Sequence, residues 1–307
     1  MKDSRHSVTR NLLTFLIVAG SAVLFCSKGV FAKLAFAAGV DAITILTLRM
    51  AFALPFFLAI VVFASRGAKP LDGPVWLRLG ALGFLGYYLS SLVNFTGLQY
   101  VSIGLERIIL YTYPSIVLVI SAFFLRRPVR PVTWVACGVA WLGICAAFAG
   151  ELNHPVANPN TLWGAFLIFL SALTYAGFIL LSGDTIAQVG AMRFTGIAVG
   201  ISCVGMLVHF SVVHEWRTLL VLPKVVYLHG GILAIFGTVL PALLMSVGLK
   251  RAGAAKFSVI SAIGPVATFY LAWVLLGEQP NVAQTLGFAL TIAGGLGISL
   301  LKSPTKN

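Results

Sequence analysis

The sequence predicts an all-α integral membrane protein of ten transmembrane helices, built as a 5+5 inverted-topology repeat. The composition, the sorting of basic residues between apolar runs and an internal repeat carry that prediction. Of 307 residues 59% are hydrophobic and only 9% charged, with a mean hydropathy of +1.00. A water-soluble fold has no interior large enough for so much apolar surface. In lipid every backbone N–H and C=O needs a partner within its own segment, which selects helices, and the runs lack the alternation of barrel strands.

The apolar runs are each roughly 20 residues long, enough to cross a hydrocarbon core of ~30 Å. They fall at 12–38, 42–64, 76–97, 102–125, 132–149, 161–182, 193–213, 226–249, 255–276 and 282–301. Lys2, Arg5 and Arg10 before the first run imitate a signal peptide, but the run continues past Phe25 to Ala38 without a small-residue cleavage site. It therefore reads as an uncleaved first helix. The cysteines Cys26, Cys137, Cys145 and Cys203 lie inside runs without metal or redox spacing and read as small core hydrophobes. His209 in the seventh run reads as a packed or interfacial histidine.

With a cytoplasmic N terminus, 15 of the 21 basic residues fall in loops on the inner side. These are Lys2, Arg5 and Arg10; Arg66, Lys69 and Arg78; Arg126, Arg127 and Arg130; Arg193; Lys250, Arg251 and Lys256; Lys302 and Lys306. Only Arg217 and Lys224 fall outside, and Lys28, Lys33, Arg49 and Arg107 lie within spans. The positive-inside rule then places both termini in the cytoplasm. Although the net charge is +13, the charges flank spans instead of forming one soluble face, which argues against nucleic acid as a partner.

An offset of 151 residues aligns Gly80 with Gly231, Gly86 with Gly237, Gly97 with Gly248, Pro114 with Pro265, Leu125 with Leu276 and Gly143 with Gly294. Five spans per half is odd, so the second half enters the membrane from the opposite side. Charge agrees: Arg126, Arg127 and Arg130 on the inside become Gly277, Glu278 and Asn281 on the outside. The expected division is residues 1–150 and 151–307, with any substrate site near the midplane between the halves.

Leu276-Gly277-Glu278, preceded by Pro265 and followed by Gly287 and Gly294-Gly295, resembles the pattern that ends each half of the EamA-type exporters in the drug/metabolite transporter superfamily. In the first half Arg126-Arg127 replaces the Gly-Glu pair. Lys33 and Arg49 are similar to a Lys and an Arg common in that family. The resemblance implies a ten-helix exporter with a central cavity lined by spans 1, 3, 4, 6, 8 and 9. The aromatic middle of the chain looks most like the aromatic amino acid exporters, with sugar-phosphate and nucleotide-sugar carriers as relatives.

Polar groups inside a membrane face a cavity or one another. Tyr87, Ser91 and Asn94 share one face of the third span, with Ser90 beside them. Ser21, Phe25 and Lys28 do so in the first, and Ser171, Tyr175 and Phe178 in the sixth; Tyr111 and Tyr113 flank Pro114 in the fourth. Each aromatic alone fits packing or an interfacial belt, as Trp163 does best. Together they suit a flat amphipathic ligand. Lys28 is placed either to bind a carboxylate or to snorkel outward, and Lys33 to snorkel. Arg49 is expected to cap carbonyls or meet a group on another helix.

Glu106 and Arg107, as sequence neighbours, point to different faces and are not expected to pair. Pro114 and Pro265 are expected hinges; Pro55 and Pro241 read as bends. Only Glu106 among the acids lies clearly in a span, which favours facilitated movement over proton coupling.

The expected function is export of small amphipathic metabolites, amino acids including aromatic ones, by alternating access in a bacterial-type cytoplasmic membrane, as a monomer or weak homodimer. One rival is a carrier of anionic phosphorylated metabolites using Lys28, Arg49 and Arg107; others are a membrane enzyme or a scaffold. No metal or cofactor is expected, and no catalytic constellation is present.

Overall fold

A computed structural model describes residues 2–124, 126, 129–152, 158–261, 263–279 and 281–300. Leu125, Arg127, Lys302 and Lys306 lie outside the described residues. Among the described residues the regular structure is helical throughout. The helices are α1 (Lys2–Ala37), α2 (Ala42–Ala64), α3 (Gly73–Gly83), α4 (Ser90–Leu98), α5 (Ile103–Leu110), α6 (Tyr113–Phe123), α7 (Pro131–Leu152), α8 (Thr161–Val189), α9 (Ala191–Val213), α10 (Lys224–Ala234), α11 (Leu240–Ser261), α12 (Ile263–Leu276) and α13 (Val282–Leu300).

The thirteen helices resolve into the ten expected spans, with two kinds of interruption. A π-turn at Phe84–Leu89 joins α3 to α4, and another at Ile235–Val239 joins α10 to α11. Their first residues are 151 positions apart, the offset of the sequence repeat. The fourth span breaks after Leu110 and restarts at Tyr113, with Pro114 in the first turn of α6, where its missing N–H is harmless. Pro265 stands likewise near the start of α12.

The eighth and ninth spans meet within α11. Gly237 lies against Lys28, Pro241 against Ser21 and Gly248 against Val18, so the chain descends α1. Gly264 lies back beside Ala22 and Cys26, and Phe257 returns to within 3.3 Å of the Cβ position of Gly248. The chain therefore reverses between Gly248 and Gly264.

The inversion of the halves is visible where α7, the fifth span, crosses α13, the tenth. A Cβ on Gly143 would stand 2.5 Å from Gly287 O, and one on Gly294 2.5 Å from Ala136 O. These two contacts are repeat equivalents of each other, and they run in antiparallel order along the two helices. Small residues let the backbones approach this closely, which substitutes for hydrophobic driving force between helices in lipid. Helices α2 and α9, equivalent spans as well, pack the same way, with Gly196 on Ile60 and Val61 and Cys203 Sγ 3.6 Å from Met50 Sδ.

Where the described loops touch, they touch loops expected on the same side. At one end Asp41 meets His214 at 3.1 Å, and the residues around 102, 151 and 278 are hydrogen-bonded together. At the other, Arg193 donates to Ser65 Oγ and Lys69 O. Cys26, Cys137 and Cys203 are buried, and Cys145 is exposed. His209 is packed, its Nδ1 2.8 Å from the hydroxyl of Tyr88.

Candidate substrate site

Three cations and one carboxylate occupy the polar centre. Glu106, on α5, is fully buried and accepts from Asn94 Nδ2 at 2.9 Å. Its other oxygen is 2.8 Å from Arg107 Nε, an ion contact outside hydrogen-bond alignment. The expectation that these neighbours would not pair is thus corrected. Both side chains are withdrawn from water, and the arginine is long enough to fold back onto the carboxylate that lowers its desolvation cost. Gly29 faces the pair, and a Cβ there would stand in ordinary contact with it, 3.4 Å from Arg107 Nη2 and 3.7 Å from Glu106 Oε2.

Lys28 stands one residue away, its Nζ 4.5 Å above the ring of Phe25, and it interacts electrostatically with Arg107, Arg49 and Glu106. Arg49 meets another helix, as one of the two expectations had it: its Nε donates to Thr238 Oγ1 at 2.8 Å, and its guanidinium lies 5.2 Å over Phe95. Thr238 in turn donates to Leu233 O, five residues back, at 2.9 Å.

Beside this group runs a row of rings. Tyr111 and Tyr113 are 6.4 Å apart, Tyr113 and Tyr175 5.4 Å, Tyr175 and Phe178 5.9 Å, and Phe178 and Tyr87 5.1 Å. Tyr111 begins the row beside Cys26 and Arg107, with which it interacts electrostatically. Tyr87 ends it on the first π-turn, at the position equivalent to Thr238 on the second. The aromatic residues foreseen in spans 3, 4 and 6 are therefore brought together. Phe25 is 43% exposed although Ser21 and Gly29, one turn to either side on the same face, are covered.

The foreseen serines are engaged between helices. Ser21 Oγ donates to Pro241 O at 3.0 Å, and Ser171 Oγ to Ser90 O at 2.8 Å, the corresponding bond of the other half. Ser90 Oγ also meets Ser171 Oγ at 3.0 Å. Ser91 is half-buried. Trp163 is 53% exposed and stacks on Phe166, so it stands apart from the centre.

Sequence reasoning missed a second polar group at the end of the molecule that holds residues 102 and 278. Glu151, the penultimate residue of α7, is buried. It accepts from Ser102 N at 2.8 Å, Ser102 Oγ at 2.6 Å and Gln284 Nε2 at 2.5 Å. Glu278 accepts from Ile103 N at 3.0 Å, so two carboxylates cap the start of α5. Asn281 Nδ2 ties α13 to Gly150 O at 2.7 Å. Burial raises the Glu278 carboxyl above its ordinary value; Lys33 and the Ile103 N–H oppose this. A cavity of about 530 Å³ opens here, lined by Lys33, Ser102, Glu151, Phe269, Glu278 and Gln284. Glu151 escaped notice because it follows the apolar run, whereas Thr238 was traceable as the repeat partner of Tyr87.

Comparison with known proteins agrees with this architecture. The model of the EamA-like transporter family matches twice, over residues 12–149 and 162–300. Bacillus subtilis (strain 168) has a protein named uncharacterized transporter YcbK that is 30% identical over 281 residues, 89% of this chain and 88% of that one. An S-adenosylmethionine/S-adenosylhomocysteine transporter of Chlamydia trachomatis serovar L2 is 24% identical over 240 residues, 74% of this chain and 72% of its own. One crystal structure superimposes with a TM-score of 0.62 at 17% identity, covering 94% of this chain and 96% of the other. Two matches of one family model, covering both halves of a helical bundle, make this chain a member of the EamA-like transporter family, within the drug/metabolite transporter superfamily.

Proposed function

We propose that this membrane transporter exports small metabolites that join an anionic group to a flat apolar one, amino acids including aromatic ones first among them. The observation that carries the reading is the row from Tyr111 to Tyr87 beside Lys28, Arg49 and Arg107, of which Arg107 pairs with the one central carboxylate, Glu106. Aromatic faces take up an apolar ring, and the surplus positive charge suits a carboxylate. Lys28, Phe25, Tyr87, Ser91, Asn94, Tyr111, Tyr113, Tyr175 and Phe178 line the site in this reading, while Ser21, Ser90 and Ser171 hold the helices that carry them. S-adenosylmethionine, named for one relative, also pairs an amino-acid group with a flat ring system.

Residues 1–150 and 151–307 move as two repeats, with the break before Pro114 and the start of α12 at Pro265 as hinges. The positive-inside rule puts the end bearing Arg66, Lys69 and Arg193 in the cytoplasm of a bacterial-type cell. No bond is made or broken in the cargo. The surplus charge also favours a second reading, in which the cargo is a phosphorylated metabolite.

Counterflow into proteoliposomes separates them. Labelled phenylalanine and S-adenosylmethionine exchange in the first reading. Exchange of glucose 6-phosphate alone selects the second.

A further inference from the structure

The two π-turns present equivalent positions to the centre with different chemistry. On the first, Tyr87 offers a ring to Phe178; on the second, Thr238 offers a hydroxyl to Arg49. Thr238 Oγ1 donates to Leu233 O and accepts from Arg49 Nε, so its direction is fixed by the turn and it fixes the arginine in turn. Gly237, next to it, packs on Lys28, which sets the two cations side by side.

We propose that Arg49 is the anchor for the anionic group of the cargo, and that Thr238 is the positioning residue that aims it. The assignment rests on the carrier reading above and names the atom that reads the cargo's charge. Arg49 is 5% exposed, and its Nη1 has no partner among the described residues. The other central arginine already has Glu106, whereas the ion pairs among the described residues include none to Arg49. Because Nε is taken by Thr238, the Nη1–Nη2 edge is the side left for a ligand. Two parallel N–H bonds from that edge match a carboxylate or a phosphate. Phe95 covers one face of the guanidinium and confines approach to its edge.

The test is ligand-dependent thermal stabilisation of the purified full chain in detergent, titrated with phenylalanine, S-adenosylmethionine, glucose 6-phosphate, inorganic phosphate and phenethylamine, which lacks the anionic group. At least one anion-bearing compound is expected to stabilise the wild type, with half-saturation weakened about tenfold or more in Arg49→Gln and Thr238→Val. Thr238→Ser, which keeps the hydroxyl, restores it, and any response to phenethylamine is unchanged. Wild-type half-saturation in either variant overturns the proposal, as does a wild type that no anion-bearing compound stabilises. Arg49-dependent binding of glucose 6-phosphate or phosphate without phenylalanine or S-adenosylmethionine keeps the anchor and removes the amino-acid cargo.

Discussion

Thr291 Oγ1 lies 3.4 Å from Ala140 O, and the two residues are 151 positions apart, the offset that relates the repeats. They are each other's symmetry equivalents in contact, so the pseudo-two-fold axis passes between them. The close approaches Gly143 to Gly287 and Gly294 to Ala136 flank that point on either side.

This crossing tolerates no added atoms. A Cβ on Gly143 or Gly287 would lie 2.5 or 2.4 Å from a facing carbonyl oxygen, with further backbone atoms beside it. Gly143→Ala and Gly287→Ala are each expected to destabilise the protein by roughly 1–3 kcal/mol. Gly138→Ala, with open space around it, serves as the control. Unfolding temperature in detergent measures the difference.

The buried pair of Glu106 and Arg107 is costly to break from one side. Glu106→Ala leaves Arg107 uncompensated and is expected to lose about 3–5 kcal/mol. Replacing both residues, as Glu106→Gln with Arg107→Met, recovers much of that loss. Asn94→Ala acts through the same carboxylate and lowers stability less. Size-exclusion stability after mild heating ranks the three.

Burial holds the Glu278 carboxyl above its ordinary value, so the folded protein binds this proton more tightly than the unfolded chain. That contribution to stability is complete below the unfolded pKa and is lost as pH rises through the raised folded value. Above about pH 4.5, Glu278→Gln is therefore expected to flatten the dependence of unfolding temperature on pH. It stabilises the protein at neutral pH, since glutamine still accepts from the Ile103 N–H. An unchanged slope contradicts this.

Tyr87 contributes a ring to the row and no hydrogen bond to the pair of Glu106 and Arg107. Tyr87→Ala is expected to lower phenylalanine counterflow about tenfold, the loss of one ring contact and its buried area. The unfolding temperature falls with the lost packing, while detergent-stable expression remains. Normal flux removes the third span from the lining.

Much of this was legible in sequence because membrane insertion writes itself there. Span length, loop charge and the offset of Gly86, Pro114 and Gly143 from their partners each follow from a constraint that acts locally. Of these partners, Pro265 and Gly294 also carried the family resemblance. What stayed hidden depended on three-dimensional meeting. The pairing of Glu106 with Arg107 depends on burial against another helix at Gly29, and the caps of Glu151 and Glu278 on α5 join four segments. The π-turns leave no local signature beyond Gly86 and Gly237.

The most direct measurement is sidedness of labelling at the two ends. Single cysteines at positions 66 and 278, in a background without the four native ones, are treated with a membrane-impermeant maleimide in intact cells. The expected result is labelling of 278 from outside and of 66 only after permeabilisation. Labelling of both positions from the same side contradicts two inverted halves around one polar centre.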